Sequence, residues 1–355
     1  MPNAERLVAA GWAWQDAPMR TLPIILAALL AAAAAPVLAQ ASAAIASGKV
    51  QPSALSPGEI VAAAPKADWV AIAPADLLVM DLAPDAKGKA RRVVIQLMPP
   101  PFSAGWIGNI RKLAAAHWWD GLSVNRVQDN YVVQWGDADA DDKAKARALP
   151  AGLAVVPEAS YTVTWGSIRS KLDNVMPSFQ PTRSATDWQY RDPYAQFNDF
   201  AEGWPVASAL VVGSEPVAWP VHCYGMVGVG RDLSPNTGSG AELYTVIGHA
   251  PRHLDRNIAL VGRVIEGIEH LSSLPRGTGT LGFYETPEER TKIVSVRLAS
   301  EMEADPGLKF EYLSTESATF ARYADARANR RDPFFIRPAG GADICNIPVP
   351  VRRVK

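Results

Sequence analysis

The apolar runs of this chain are short, and nearly all of them end at a turn residue. Leu77–Leu82 (LLVMDL) and residues 93–98 (VVIQLM), 122–128, 131–135, 224–229, 243–247, 259–265 and 292–298 have strand length and aliphatic, β-branched or aromatic content. With 29 prolines and 26 glycines in 355 residues, the punctuation favours a loop-rich β protein over a helical bundle. Many short antiparallel strands with two or three helices point to a closed barrel capped by helices. The length allows one large domain or two ordinary ones.

Composition removes several function classes. A formal charge of −1 argues against a protein that binds nucleic acid by neutralising phosphates. With 48% hydrophobic and 20% charged residues, the chain is not disordered as a whole. One segment alone has membrane length, so a multi-pass protein is excluded. That segment, residues 21–39 (TLPIILAALLAAAAAPVLA), follows Met19-Arg20 and ends on Val37-Leu38-Ala39. A positive start, about fourteen apolar residues and a small-x-small end make a secretory signal peptide, with a retained anchor as the alternative. Glu5 and Asp16 do not suit a signal start, so Met19 is a second candidate initiator. No cysteine follows the apolar run, which excludes a lipoprotein anchor. The expectation is an exported, periplasmic protein with no stable membrane association after cleavage.

Local signals order the rest. Ser56-Pro57-Gly58-Glu59 is a capping box before a short helix. The 77–82 and 93–98 runs form a hairpin around PDAKGK. Ser103 is expected to cap a helix reaching about Trp118, with Ile107, Ile110, Leu113 and Ala114 at helical spacing. Residues 138–147 are a solvated run of charge and alanine, and 148–222 hold aromatics (Trp165, Trp188, Tyr190, Trp204) among prolines without a legible fold. A short helix is expected at 267–274, a last helix from Ser314 to Asn329, and an edge strand at 344–349. Trp118, Trp119 and Trp135 read as packing residues.

The common chemical motifs fail on context. Gly277-Thr278-Gly279-Thr280-Leu281-Gly282 matches GxGxxG, yet no strand precedes it and no helix follows, so it reads as a flexible loop. His249 and His253 flank Pro251, which excludes a zinc-binding helix. No nucleophile elbow and no paired acid and base carboxylates stand out. No metal or cofactor is called for. Cys223 and Cys345 form either a disulfide, permitted by export, or two buried thiols. A bridge would close a loop of about 120 residues, worth ~4–5 kcal/mol in the chain-entropy model.

Two blocks remain: residues 93–137 (VVIQLMPPPFSAGWIGNIRKLAAAHWWDGLSVNRVQDNYVVQWGD) and 224–271 (YGMVGVGRDLSPNTGSGAELYTVIGHAPRHLDRNIALVGRVIEGIEHL). In that order they resemble the cyclophilin-type peptidyl-prolyl isomerases. That family has a hairpin, an N-F-x-x-L helix, then Y-D-G-x-x-F-H-R-V-I and F-x-x-Q-G-G-D, and later P-N-S/T, S-Q-F-F-I, W-L-D and F-G-x-V stretches. The resemblance puts Arg126 on the catalytic arginine. It puts Tyr131, Val132 and Gln134 on F-M-x-Q, and Gly230 with Arg231 on an Ala-Asn pair. Glu242 stands where the family has Gln, Tyr244 on the Phe that floors the proline pocket, and His253 in place of the Trp, with Leu254 and Asp255 keeping L-D. Asn125 and Ile258 replace two histidines. Without the resemblance, Arg126 is a salt-bridged strand arginine and the two tyrosines are core aromatics.

The resemblance implies a mainly β fold, a closed antiparallel barrel over 77–300 interrupted by an insertion at 138–222. A 40–76 extension precedes it and a helical 301–355 extension packs on it. It implies a monomeric peptidyl-prolyl cis-trans isomerase, with proline-containing polypeptides as partners, catalytic Arg126, and a substrate site of Tyr131, Val132, Gln134, Gly230, Glu242, Tyr244, His253 and Leu254. The alternative is a weak or inactive peptide-binding module, with Glu242 either orienting Arg126 or neutralising it.

Overall fold

The computed structural model describes residues 54–164, 166–167, 192–303 and 306–354. The signal segment at 1–39, the first part of the 40–76 extension (residues 40–53), and Trp165, Trp188 and Tyr190 lie outside the described residues. Eight strands close into an antiparallel barrel. In chain order they are β2 (Leu77–Leu82), β3 (Arg91–Leu97), β4 (Ser123–Val127), β5 (Val132–Gly136), β10 (Met226–Val229), β11 (Leu243–Val246), β12 (Leu260–Glu266) and β13 (Thr291–Leu298). The circuit runs β10-β11-β5-β4-β13-β2-β3-β12 and returns to β10. Closure leaves these strands no free edge.

The β2–β3 hairpin explains why LLVMDL is almost continuously apolar. Leu78, Met80 and Leu82 point into the barrel with Val93, Ile95 and Leu97. Leu77, Val79 and Val94 point outward and are covered by Ile72, Leu308 and Phe310. Both faces are buried because the chain ends wrap this side. Three short strands do the covering: β1 (Trp69–Ala71), β14 (Phe310–Leu313) and β15 (Val351–Arg353) pair as β1-β14-β15.

Helix α1 (Pro57–Ala62) starts on the Ser56–Glu59 capping box. Helix α2 (Ala104–Ala115) buries Trp106, Ile107, Ile110, Leu113 and Ala114. Ser103 precedes it in a left-handed conformation and makes no side-chain cap. The helix also stops before Trp118, because His117 turns left-handed (φ 54) and Trp118 N–H bonds back to the Leu113 carbonyl at 3.0 Å. Between Gly267 and Leu274, one helical turn, α3 (Glu269–Ser272), forms. The last helix, α4 (Ala318–Ala328), is capped by Ser317, whose hydroxyl accepts from Phe320 N–H, rather than by Ser314. Residues 344–349 are not an edge strand. They begin with a 3-10 turn (Ile344–Asn346), and Pro348 and Pro350 lack the N–H groups a ladder needs. Ile344 and Ile347 are buried instead.

The stretch without a legible fold holds a second sheet. Strands β6 (Val163–Thr164), β7 (Phe197–Ala201), β8 (Trp204–Ala209) and β9 (Val217–Pro220) pair as β6-β9-β8-β7. Pro205 and Pro220 within strands disguise it. Trp204 and Trp219 are buried at 1% exposure each, and Arg263 of β12 reaches across to the Gly203 carbonyl at 2.7 Å. Just after the sheet, Cys223 is disulfide-bonded to Cys345, fastening the insertion's exit to the C-terminal segment.

Candidate functional site

Strand register assembles the site. Arg126 on β4 lies opposite Gln134 on β5, Gln134 opposite Tyr244 on β11, and Tyr244 opposite Gly228 on β10. These four positions form one row across the outer face of the barrel. Their neighbours Val133, Trp135, Leu243, Val227 and Val229 point into the main core. A register shift between Val124 and Arg126 is what turns the arginine outward while Val124 and Val127 both stay inside. Asn125, the residue at the shift, is held by its amide to the Gly136 carbonyl at 3.0 Å.

Arg126 is half-buried and its guanidinium is held on three sides. Nε donates to the Leu281 carbonyl at 2.7 Å, Nη1 to Gln134 Oε1 at 2.9 Å, and Nη2 to Gln128 Oε1. The cation also stands 5.7 Å from the Tyr131 ring centroid and 5.4 Å from that of Phe283. Burial lowers its pKa, opposed by Tyr131 and Glu242, but a guanidinium keeps its proton at any physiological pH. Glu242 does not pair with it directly: the carboxylate accepts from Gln134 Nε2, so the glutamine amide separates the two charges. Burial raises the Glu242 pKa; the Gln134 bond opposes this, Asp141 adds to it, and Arg126 lowers it.

Beside the arginine is an apolar patch separate from the core: Val132, Tyr244 and Val246, with Tyr131 and Ile258 against them. Tyr244 lies across Gly228, where a Cβ would come 2.3 Å from the ring, so only glycine lets the ring lie flat there. His253, on a 3-10 turn (Arg252–Leu254), stacks on Tyr131 at 6.4 Å between centroids and 13° between planes. Leu254 is half-buried on that turn, and its carbonyl accepts from Asn257 and Ile258. Gly230 donates to the Glu242 carbonyl at 2.8 Å. Both border a cleft of about 740 Å³ that runs toward Asp137, Asp141, Arg147 and Thr237.

Sequence reasoning missed part of the wall. The GxGxxG segment is not a free loop: Gly277 donates to the Val127 carbonyl, Leu281 takes the Arg126 bond, and Phe283 bridges to Arg126. Gly282 (φ +80) passes so near β4 that a Cβ would sit 2.8 Å from the Val127 carbonyl oxygen. The signal was present as glycine spacing, which is needed here for a close approach of two backbones rather than for a phosphate. Gln128, two residues beyond the arginine on the same face, was also missed.

With this geometry in place, the comparisons decide the family. The cyclophilin type peptidyl-prolyl cis-trans isomerase/CLD family model matches residues 105–298, more than half of the chain. The chain belongs to that family. No curated protein matches the sequence. Among solved structures, the cyclophilin AquaCyp293 from Hirschia baltica is similar over 80% of this chain and 92% of its own, at 22% identity and a TM-score of 0.58. That likeness establishes the cyclophilin fold. A Cryptosporidium parvum cyclophilin type peptidyl-prolyl cis-trans isomerase matches over 62% of this chain and 97% of its own, at 11% identity and a TM-score of 0.35. The same enzyme solved in the presence of the dipeptide Ala-Pro gives 10% identity and a TM-score of 0.33 over 62% of this chain and 98% of its own. The cyclophilin barrel is therefore present here with the register that gathers Arg126, Gln134 and Tyr244 on one outer face.

Proposed function

We propose that this cyclophilin is a peptidyl-prolyl cis-trans isomerase acting on X–Pro bonds of exported polypeptides, with Arg126 as its catalytic residue. One observation carries the reading: three fixed acceptors orient the Arg126 guanidinium beside an apolar floor, and Glu242 bonds to Gln134 instead of neutralising it. Rotation about an X–Pro bond faces about 18–20 kcal/mol because amide resonance must be broken. No bond is cleaved, so no nucleophile is required. The guanidinium donates toward the proline nitrogen as its lone pair localises in the twisted amide. Such a donor is worth about 3–4 kcal/mol, or two to three decades of rate. Tyr131, Val132 and Tyr244 hold the pyrrolidine ring, and the cleft beside Gly230 and Glu242 receives the flanking peptide. His253 and Leu254 form the rim.

Export to a periplasm is supported by the signal-like segment at 21–39 and by a disulfide, which persists in oxidising compartments. In this reading the protein works as a monomer on proline-containing polypeptides, without nucleic acid or a membrane. A second reading, peptide binding without turnover, draws on the fact that Nε, Nη1 and Nη2 of Arg126 each already donate to the protein.

A protease-coupled assay on an Ala-Pro-Phe peptide separates the two. Isomerisation above the uncatalysed rate, reduced about 100- to 1,000-fold by Arg126→Ala, is the expected result. No acceleration by the wild-type protein, together with peptide binding in an NMR titration, leaves the binding reading instead.

A further inference from the structure

The floor of the pocket is a tyrosine whose hydroxyl points away from the groove into a buried chain of polar side chains. Tyr244 Oη lies 2.9 Å from His222 Nε2, with the two ring planes within 8° of each other. His222 Nδ1 lies 2.9 Å from Asp255 Oδ1, which also accepts the His222 backbone N–H at 3.0 Å. Asp255 Oδ2 accepts from Arg252 Nε at 2.7 Å, and Arg252 Nη2 donates to Asp192 at 2.6 Å. The side chains of His222, Asp255, Arg252 and Asp192 are 4% exposed or less. The backbone of His222 is fixed as well, because the next residue, Cys223, is bonded to Cys345.

Hydrogen-bond valence sets the direction of this chain. A carboxylate only accepts, so Asp255 takes the proton of His222 Nδ1, and in the neutral imidazole Nε2 keeps its lone pair. The Tyr244 hydroxyl then donates to Nε2, and its proton is committed away from the groove. Burial holds the phenol pKa well above its ordinary value, so the donor stays protonated. Serial hydrogen bonds of this kind fix the tautomer and ring orientation of a histidine.

We propose that His222 is a positioning residue for the isomerase site: through Nε2 it locks the Tyr244 hydroxyl and so fixes the aromatic ring that faces the proline. The inference rests on the isomerase reading. It assigns a purpose to a hydroxyl the floor does not need for apolar contact. The ring cannot tilt or swing aside without breaking a buried hydrogen bond, so it stays flat across Gly228 as the substrate amide twists.

The test compares His222→Leu and His222→Gln in the wild-type and Tyr244→Phe backgrounds, with the amplitude of Tyr244 ring tilting measured by aromatic 13C relaxation. His222→Leu is expected to lower kcat/KM about tenfold with most of the change in KM. His222→Gln, whose carbonyl can accept the hydroxyl, is expected to recover most of the loss. In the Tyr244→Phe background, His222→Leu should change kcat/KM less than about twofold, since no hydroxyl remains to be held. An equal loss in both backgrounds, or no loss in the wild-type background, overturns the proposal in favour of a structural role. If the wild-type protein shows no isomerase activity, the function reading fails, and the Tyr244 ring amplitude then decides alone. A larger Tyr244 ring amplitude in His222→Leu supports the lock, and an unchanged amplitude refutes it. Should the leucine variant not fold, His222→Met, which likewise offers the hydroxyl no strong acceptor, carries the same comparison.

Discussion

Two arginines on the barrel show how one side chain serves two purposes. Arg126 on β4 is half-buried, held by amide and carbonyl oxygens, and flanked by Tyr131 and Phe283. Arg263 on β12 is buried and is also held by oxygens, donating Nε and Nη2 to Gln96 and Nη1 to Gly203, with its guanidinium 4.5 Å from the Trp204 centroid. Among the described residues neither forms an ion pair. The difference lies in what covers them. The insertion's β7–β8 turn closes over Arg263, whereas Arg126 faces a groove. Burial lowers the Arg263 pKa to about 10, the signature of a cation sealed from water. A sealed cation can only anchor; a held but accessible one can meet a substrate.

The comparison can be broken from either side. The largest effect is expected at Arg126, where alanine should reduce kcat/KM by two to three decades while the melting temperature moves little. Arg263→Ala should do the reverse. It leaves the Gln96 and Gly203 oxygens without their donor and should cost about 3 kcal/mol in chemical denaturation. Its kcat/KM per folded molecule should match wild type. An Arg263 variant of full stability and low activity would erase the distinction.

Within the insertion, Asp199 on β7 sharpens it further. Burial raises its pKa to about 7, with the Phe200 N–H opposing and Glu316 adding. The folded state therefore holds a proton that the unfolded chain loses near pH 4, and stability falls as pH rises from about 4 to 7. Because the residue is not fully enclosed in the fold, the loss should be about 1–2 kcal/mol. Asp199→Asn should flatten this decline in thermal melts taken across that range. An unchanged slope would count against it.

The smallest effect is expected at Glu242. Glu242→Gln keeps an acceptor for Gln134 and should alter kcat/KM by no more than about threefold. In the wild-type protein kcat/KM should fall as pH rises through the elevated Glu242 pKa, because a negative charge then appears near Arg126. The variant should lose that limb of the pH profile. A tenfold or larger change would mean that Glu242 touches Arg126 or the substrate.

Much of the barrel was legible because strand composition and turn residues are local. The 77–82 and 93–98 hairpin and the strands near 122–135 and 224–265 formed within a few residues of their expected bounds. The Ser56 cap formed as its spacing required. Ser103 did not cap its helix, and the last helix starts at Ala318 rather than at Ser314, since capping depends on the backbone angle at the serine and on where the first turn closes. The insertion sheet was illegible for a different reason: its strands are short, carry proline, and are stabilised by Trp204 and Trp219 buried beneath them.

The site divides the same way. Arg126, Gln134 and Tyr244 were nameable because two blocks of sequence resemble a family, but their meeting in one row depends on pairings between β4, β5 and β11. Leu281 reaches Arg126 across 155 residues, and His222 reaches Tyr244 from outside the four strands of the row. By itself the sequence determined which segments become strands of the barrel, where most of them turn, and which residue types were available for the chemistry. Only the tertiary structure decided that Gln134 stands between Arg126 and Glu242, that the glycine-rich loop walls the groove, and that the Tyr244 hydroxyl turns inward. These are matters of register and long-range hydrogen bonding, which local propensity does not encode.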